Sequence, residues 1–409
     1  MKRFAFRVAA TLAMVAPFLA PSAVAADLPE DVMGEIVQFD RSAYERLVWV
    51  TDMNSPYQAH SRAYLLDPDE GRYLGMLDLG YWTTGMQLMP SGDRIIAPET
   101  HFSRTTRGTR TDVVVSYDAA TLQAVSEIEI PPKRASTVKM QGASALSEDA
   151  RFLAQINFTP ANSVTIVDLV SGAFVAETDT PGCANVYGGG VRSFHLICGD
   201  GSFLTLKIDD TGAVIGRQRS ASLFDPFTDP ITISGVRQGN TWYFVTLAGL
   251  LHEFEMSEAG VSLTNSWPLI SDDARRDEWS ISGFQHLALH KTSGQLYLLT
   301  HQGPPETFED PGTHVWVFDV ASHEKIDSFE LAERTLSIAV SQDVDPLLYA
   351  IGAHIPMPFL AQVWVYFTQG EAAFLDVVKF GLDVYQAEDG EYLRSIENLG
   401  HLPTYIQPW

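Results

Sequence analysis

The chain of 409 residues carries 27 Lys and Arg against 51 Asp and Glu, a formal net charge of −24. So acidic a surface repels phosphate and excludes a general nucleic-acid partner, and a hydrophobic content of 45% excludes disorder and supplies a large core. Length alone favours two or three domains, but repeat and all-β architectures can use this many residues in one body, so the domain count stays open.

At the N-terminus Lys2, Arg3 and Arg7 precede an apolar run from Val8 to Ala20, and Ala23-Val24-Ala25 offers the small-x-small site of a signal peptidase. The run is about 13 residues long and interrupted by Pro17, short of the ~20 that a membrane span requires. Residues 1–25 are therefore predicted to be a cleaved secretory signal, and 26–409 the exported mature chain. Loss of three cations and no acid takes the charge from −24 to −27.

Beyond the signal, a short strand that ends in an acidic or polar residue and runs into a turn recurs along the chain. The copies are Tyr64-Leu-Leu-Asp67, Val115-Ser-Tyr-Asp118, Thr165-Ile-Val-Asp168, Leu206-Lys-Ile-Asp209, His252-Glu-Phe-Glu255, Trp316-Val-Phe-Asp319 and Asp383-Val-Tyr-Gln386. Their fourth residues are spaced 51, 50, 41, 46, 64 and 67 apart, the length of one four-stranded unit with its loops. Alternating apolar and polar residues mark half-buried strands, and Asp, Ser, Gly and Pro close the turns. Further strand-like runs lie between the copies, at 93–97, 150–154, 241–245, 295–299 and 346–350. Only 271–279 reads as a helical turn or two.

Seven small sheets cannot each bury a face alone, but a radial arrangement covers them all, so an all-β, seven-bladed β-propeller in a single domain over 26–409 is predicted. A solenoid of stacked hairpins is the second choice, disfavoured because no capping repeats are present.

Cys183 and Cys198, the only cysteines, flank a Gly-rich segment that can form a hairpin. In an oxidising compartment they read as a disulfide closing a loop of about 15 residues, worth ~3 kcal/mol; two buried thiols are the alternative. A metal site is not predicted, because short Cys/His spacing is absent. His286 and His290 sit in a strand-like context, would share one face without a third ligand, and read as polar residues at a blade edge. Neither a Gly-x-Ser-x-Gly elbow nor a strand–Gly-rich loop–helix pattern is found, so no catalytic constellation is predicted on this chain.

Four segments carry a resemblance: Phe102 to Asp118 with its Arg-rich start, Gly283 to Leu299, Ser341 to Ala350, and Gly390 to His401. In them the chain resembles the heavy chains of quinoprotein amine dehydrogenases, the methylamine and aromatic amine dehydrogenase family, from about Asp40 to the C-terminus. The Cys183/Cys198 spacing also fits that family's heavy-chain disulfide. The resemblance implies a periplasmic assembly of two heavy and two light chains that oxidises a primary amine to aldehyde and ammonia. It implies further that tryptophan tryptophylquinone is carried by the light chain and not by this one, and that a small blue copper protein accepts the electrons.

Two departures and several positions follow from the same resemblance. Tyr57 falls where the family has an aromatic residue, often Phe, that gates the substrate channel; a plain loop aromatic is the alternative. Arg104, Arg107 and Arg110 are candidates for light-chain contacts, or for pairing within this acidic chain. Residues 353–381 replace a short turn with an apolar insertion, expected to form an extra hairpin over a partner surface or a lid. A periplasmic binding propeller or lactonase-like hydrolase without a light chain is the competing reading.

Overall fold

A computed structural model of the chain describes residues 38–53, 60–83, 85–136, 141–369 and 377–409. The predicted signal and Tyr57 lie outside the described residues. Residues 38–409 form one compact unit, built almost wholly from antiparallel strands that pack as a propeller.

Five sheets have four strands each. One runs Pro403–Pro408, Val48–Asp52, Arg62–Asp67, Arg72–Asp78 from the inside outward, so the last strand of the chain closes the first sheet. The others begin at the inner strands Gln87–Leu88, Ser144–Leu146, Cys183–Gly188 and Val236–Gln238. The remaining strands form one eight-stranded sheet. The predicted count of seven is therefore corrected: five blades stand alone, and where further separate blades were expected the sheet is continuous.

The physical reason is the 17-residue strand Glu324–Val340. Its first part pairs with Gly312–Asp319 and its second part with Leu347–His354. Where a loop was expected between two sheets, an unbroken run without Gly or Pro keeps β geometry and joins them. The two halves then pack on one another, Tyr297, Leu299, Val315 and Val317 against Ile338, Leu348, Ala350 and Tyr385.

All seven repeat copies lie on the third strand outward from the axis. Their terminal Asp does what the pattern implied: Asp67, Asp118, Asp168, Asp209 and Asp319 each accept from backbone N–H groups two or three residues on, at 2.6–3.2 Å. Glu255 departs, because its strand continues to Ser257.

The ring closes through polar contacts between neighbouring inner segments. Gln407 donates to Met86 O, Gln87 to Ser144 O, the Tyr187 hydroxyl to Ile233 O and Ser234 to Phe284 O. Gln285 bridges Ser337 in parallel, and Ser337 donates to Thr404 O. Apolar clusters fill the spaces between sheets, from Trp49, Leu65, Ile95 and Val115 around to Val48, Tyr349, Leu382 and Ile406. Closure, and not a solenoid, is the observed solution.

The predicted helical turns appear as α1 (Asp272–Arg276), capped by Ser271. The apolar insertion is corrected from hairpin to helix: α2 spans Phe359–Gln369. Pro358 leads it in, its carbonyl accepting from Ala361 and Gln362 N–H, and Leu-Ala-Gln-Val-Trp-Val contains no breaker. Among the described residues, no helix is long and apolar enough to cross a membrane.

Candidate functional site

Strand order gives the ring two unlike faces. One carries the short turns that end every third strand, and is called here the turn face. The other, the loop face, carries the connections from second to third strands and from each sheet to the next. The 104–107 hairpin, the 303–311 loop and the insertion containing α2 therefore all open on the loop face.

The disulfide is also there. Cys183 opens the innermost strand of its sheet and Cys198 ends the next, directly opposite in register, and their sulfurs are bonded.

Beside residue 60 lies a concavity lined by His60, Asp78, Tyr81, Glu99, His101, Phe102 and Tyr117. Glu99 is buried, accepts from the Tyr117 hydroxyl at 2.6 Å and lies 2.9 Å from His101 Nε2. The hydrogen bond to Glu99 raises the His101 pKa above its ordinary value, and burial, with the Glu99 charge behind it, raises that of Tyr117. Tyr81 and Phe102 meet edge to face with centroids 5.4 Å apart. Carboxylates and ring faces together suit a small cation.

Of the three candidate arginines, the structure separates one from the others. Arg110 clamps Asp112 with two bonds of 2.8 Å and donates to Arg134 O, so its guanidinium is held within the chain. Asp112, fully buried, also accepts from Thr100 and from Arg134 N–H. Arg134 is 2% exposed and reaches Thr100 and Tyr81 O; burial pushes its pKa down to about 10, with Asp112 opposing the shift. This network ties the 100–112 hairpin to the next loop, and sequence reading missed it because Arg134 sits in an unpatterned connection. Arg104 and Arg107 project at the hairpin tip, exposed. The turn between them places Thr105 at φ 63°, a left-handed conformation that a β-branched residue rarely adopts.

The two histidines expected at a blade edge are both buried. His290 Nε2 lies 2.9 Å from Asp343 O and Nδ1 2.7 Å from Ser293 Oγ. His286 immediately precedes the inner strand Leu287–His290, at that strand's loop-face end. The alternation that suggested an edge is real, but inner strands of a closed ring have neighbours on every side. At the root of the insertion His354 Nε2 is 3.1 Å from buried Asp383; the hydrogen bond to Asp383 raises its pKa.

A closed ring with sealed turns on one side and varied, aromatic- and acid-lined loops on the other is the architecture of a propeller scaffold that offers one face for recognition. Residues 44–363 match the sequence pattern of the methylamine dehydrogenase heavy chain family, and the chain belongs to that family. The methylamine dehydrogenase heavy chain of Methylophilus methylotrophus is 28% identical over 363 residues, covering 88% of this chain and 82% of that one. That of Paracoccus versutus is 28% identical over 362 residues, 88% and 79% of the two chains.

Among solved structures, the fold is similar to that of a functionally unknown protein from Desulfotomaculum acetoxidans, with a TM-score of 0.57 at 12% identity, over 89% of this chain and 99% of that one. It is also similar to dihydro-heme d1 dehydrogenase NirN, with a TM-score of 0.52 at 14% identity, over 92% and 77%. At those identities the likeness concerns fold alone.

Proposed function

We propose that this chain is the heavy, non-catalytic subunit of a periplasmic amine dehydrogenase. Signal residues 1–25 are removed, and residues 26–409 assemble as two heavy and two light chains. The reaction takes a primary ammonium and water to an aldehyde, ammonium, two protons and two electrons, and a small copper protein receives the electrons. Tryptophan tryptophylquinone on the light chain supplies the oxidising chemistry.

Membership of the heavy-chain family is the observation that carries this reading. The chain's own part is recognition: the loop face holds the light chain, shapes the amine's path and keeps bulk water from it. The carboxylates and rings around Glu99, Tyr81 and Phe102 would attract an ammonium on the way in. Tyr57 gates that path, and Arg104 and Arg107 offer charge-assisted hydrogen bonds to the light chain.

Purification from the native host tests the assembly. A small subunit with visible quinone absorbance should co-migrate with this chain; migration alone, without that absorbance, would make it a propeller of another activity. In the assembly Tyr57→Ala should alter relative rates among amines of different size, and an unchanged profile removes the gate.

A further inference from the structure

A cavity of about 240 Å³ opens on the loop face between residues 230–234, 283–286, 308–309 and Tyr405. Most of its wall is apolar. His286 and Thr232 line it, 2% and 6% exposed, yet His286 Nε2 and Thr232 Oγ1 have no hydrogen-bond partner among the described residues. Buried polar atoms are nearly always paired, so two such atoms lining one cavity point to a ligand that completes them.

The chemistry of that ligand follows from the atoms. His286 Nδ1 lies 3.2 Å from Gly283 O. A carbonyl only accepts, so Nδ1 carries the proton and Nε2 keeps its lone pair. Burial pushes the His286 pKa down to about 4, so the ring is neutral near pH 7. Glu309 adds a carboxylate at the exposed rim. The lining holds the acceptor nitrogen of His286, the hydroxyls of Thr232, Ser234 and Tyr405, which accept as well as donate, one carboxylate and hydrocarbon, and it contains no Lys or Arg.

We propose that this cavity binds a primary amine as its ammonium ion, the N–H groups donating to His286 Nε2 and Thr232 Oγ1 near Glu309, with the hydrocarbon tail against Phe284, Phe308 and Leu247. The inference rests on the proposed function, which makes amines the relevant ligand class, and it names a site on this chain for them.

Titration of the purified full chain with n-butylamine, and with n-butanol as its uncharged counterpart, tests the site by ligand-observed NMR or calorimetry. Butylamine should bind at least fivefold more tightly than butanol. His286→Leu and Thr232→Val should each weaken it about five- to tenfold, and Glu309→Gln should remove the preference for the amine. Thr232→Val conserves shape, so it carries the test even if His286→Leu fails to fold.

Equal binding of the two probes overturns the amine class. Unchanged affinity in folded Thr232→Val and His286→Leu overturns the site and leaves a cavity for water. Because the titration reads this chain without a light chain, amine binding here in a protein that never yields a quinone subunit would sink the assembly and keep the site; the reverse outcome would do the opposite.

Discussion

The two faces of the ring are made from the same strands and behave as different materials. On the turn face, Asp67, Asp118, Asp168, Asp209 and Asp319 close short turns by accepting backbone N–H groups, and each turn satisfies itself. On the loop face, polar groups are satisfied across long sequence distances, as Arg134 reaches Thr100 and Tyr81, or are left open, as at His286. Local closure makes one face indifferent to its surroundings, and deferred closure makes the other receptive.

A buried histidine near each face sharpens that contrast and gives the largest expected effect. His195 on the turn side is fully engaged, with Thr205 Oγ1 at 2.9 Å and Gly189 O at 3.1 Å, while His286 lacks a partner at Nε2. Burial takes both to about 4 from an ordinary 6.5. Unfolded histidines bind protons below 6.5 and these two only near 4, so unfolding takes up about two protons in that window. Stability therefore falls as the pH drops from 6.5 to 4, by on the order of 5 kcal/mol.

His101 and His354 act in the opposite sense, because their folded pKa values are raised: their contribution is whole below 6.5 and lost as the pH rises through the folded value. Urea denaturation at pH 7, 5.5 and 4.5 measures the balance. A His286→Leu chain should show a shallower acid slope, with His195 and the likewise lowered His252 and His301 supplying the rest; an undiminished slope would mean that His286 is not neutral in the fold.

Next in size is the network under the loop face. Asp112→Ala takes the carboxylate from Arg110, the acceptor from Arg134 N–H and the nearby counter-charge from the buried Arg134 guanidinium, and should cost ~3–5 kcal/mol in chemical denaturation; a loss below 1 kcal/mol would show that water replaces the carboxylate. Reducing the Cys183–Cys198 bond, which spans 15 residues, should cost ~3 kcal/mol, read as a shift in denaturation midpoint with and without reductant.

On the turn face Asp168→Ala removes bonds to Val170 and Ser171 N–H and the ion pair with Arg151 and should cost ~2 kcal/mol while leaving light-chain binding intact. The smallest stability effect belongs to Arg104→Glu with Arg107→Glu, within about 0.5 kcal/mol. That pair should nevertheless weaken light-chain association measured by sedimentation. If Asp168→Ala disturbs assembly and the arginine pair does not, the two faces have been assigned the wrong way round.

Much of the fold was legible because its determinants are short-range. Asp118 and Asp168 advertise their turns within three residues, and the second strands around 95, 153 and 297 show as short apolar runs between turn residues. The join at 324–340 was not, since nothing in a strand's own residues says whether it ends at a sheet's edge or crosses to the next sheet. The apolar run at 359–369 was read as hairpin because aromatic and β-branched residues favour strands in general, yet with Pro358 at its start and no turn residue inside it, it winds into α2. Arg110 looked like its neighbours Arg104 and Arg107 in sequence, and only the approach of Arg134 and Asp112 distinguishes it.

By itself the sequence determined the repeating strand and turn, the acidic surface and the family, because each is written in residue identity and spacing over a few positions. Tertiary structure decided which histidine is sealed and which is open, which arginine is consumed and which projects, and where two sheets become one. Those outcomes depend on burial and on partners that only the folded chain brings together, and a polar side chain's chemistry is set by what the fold brings against it.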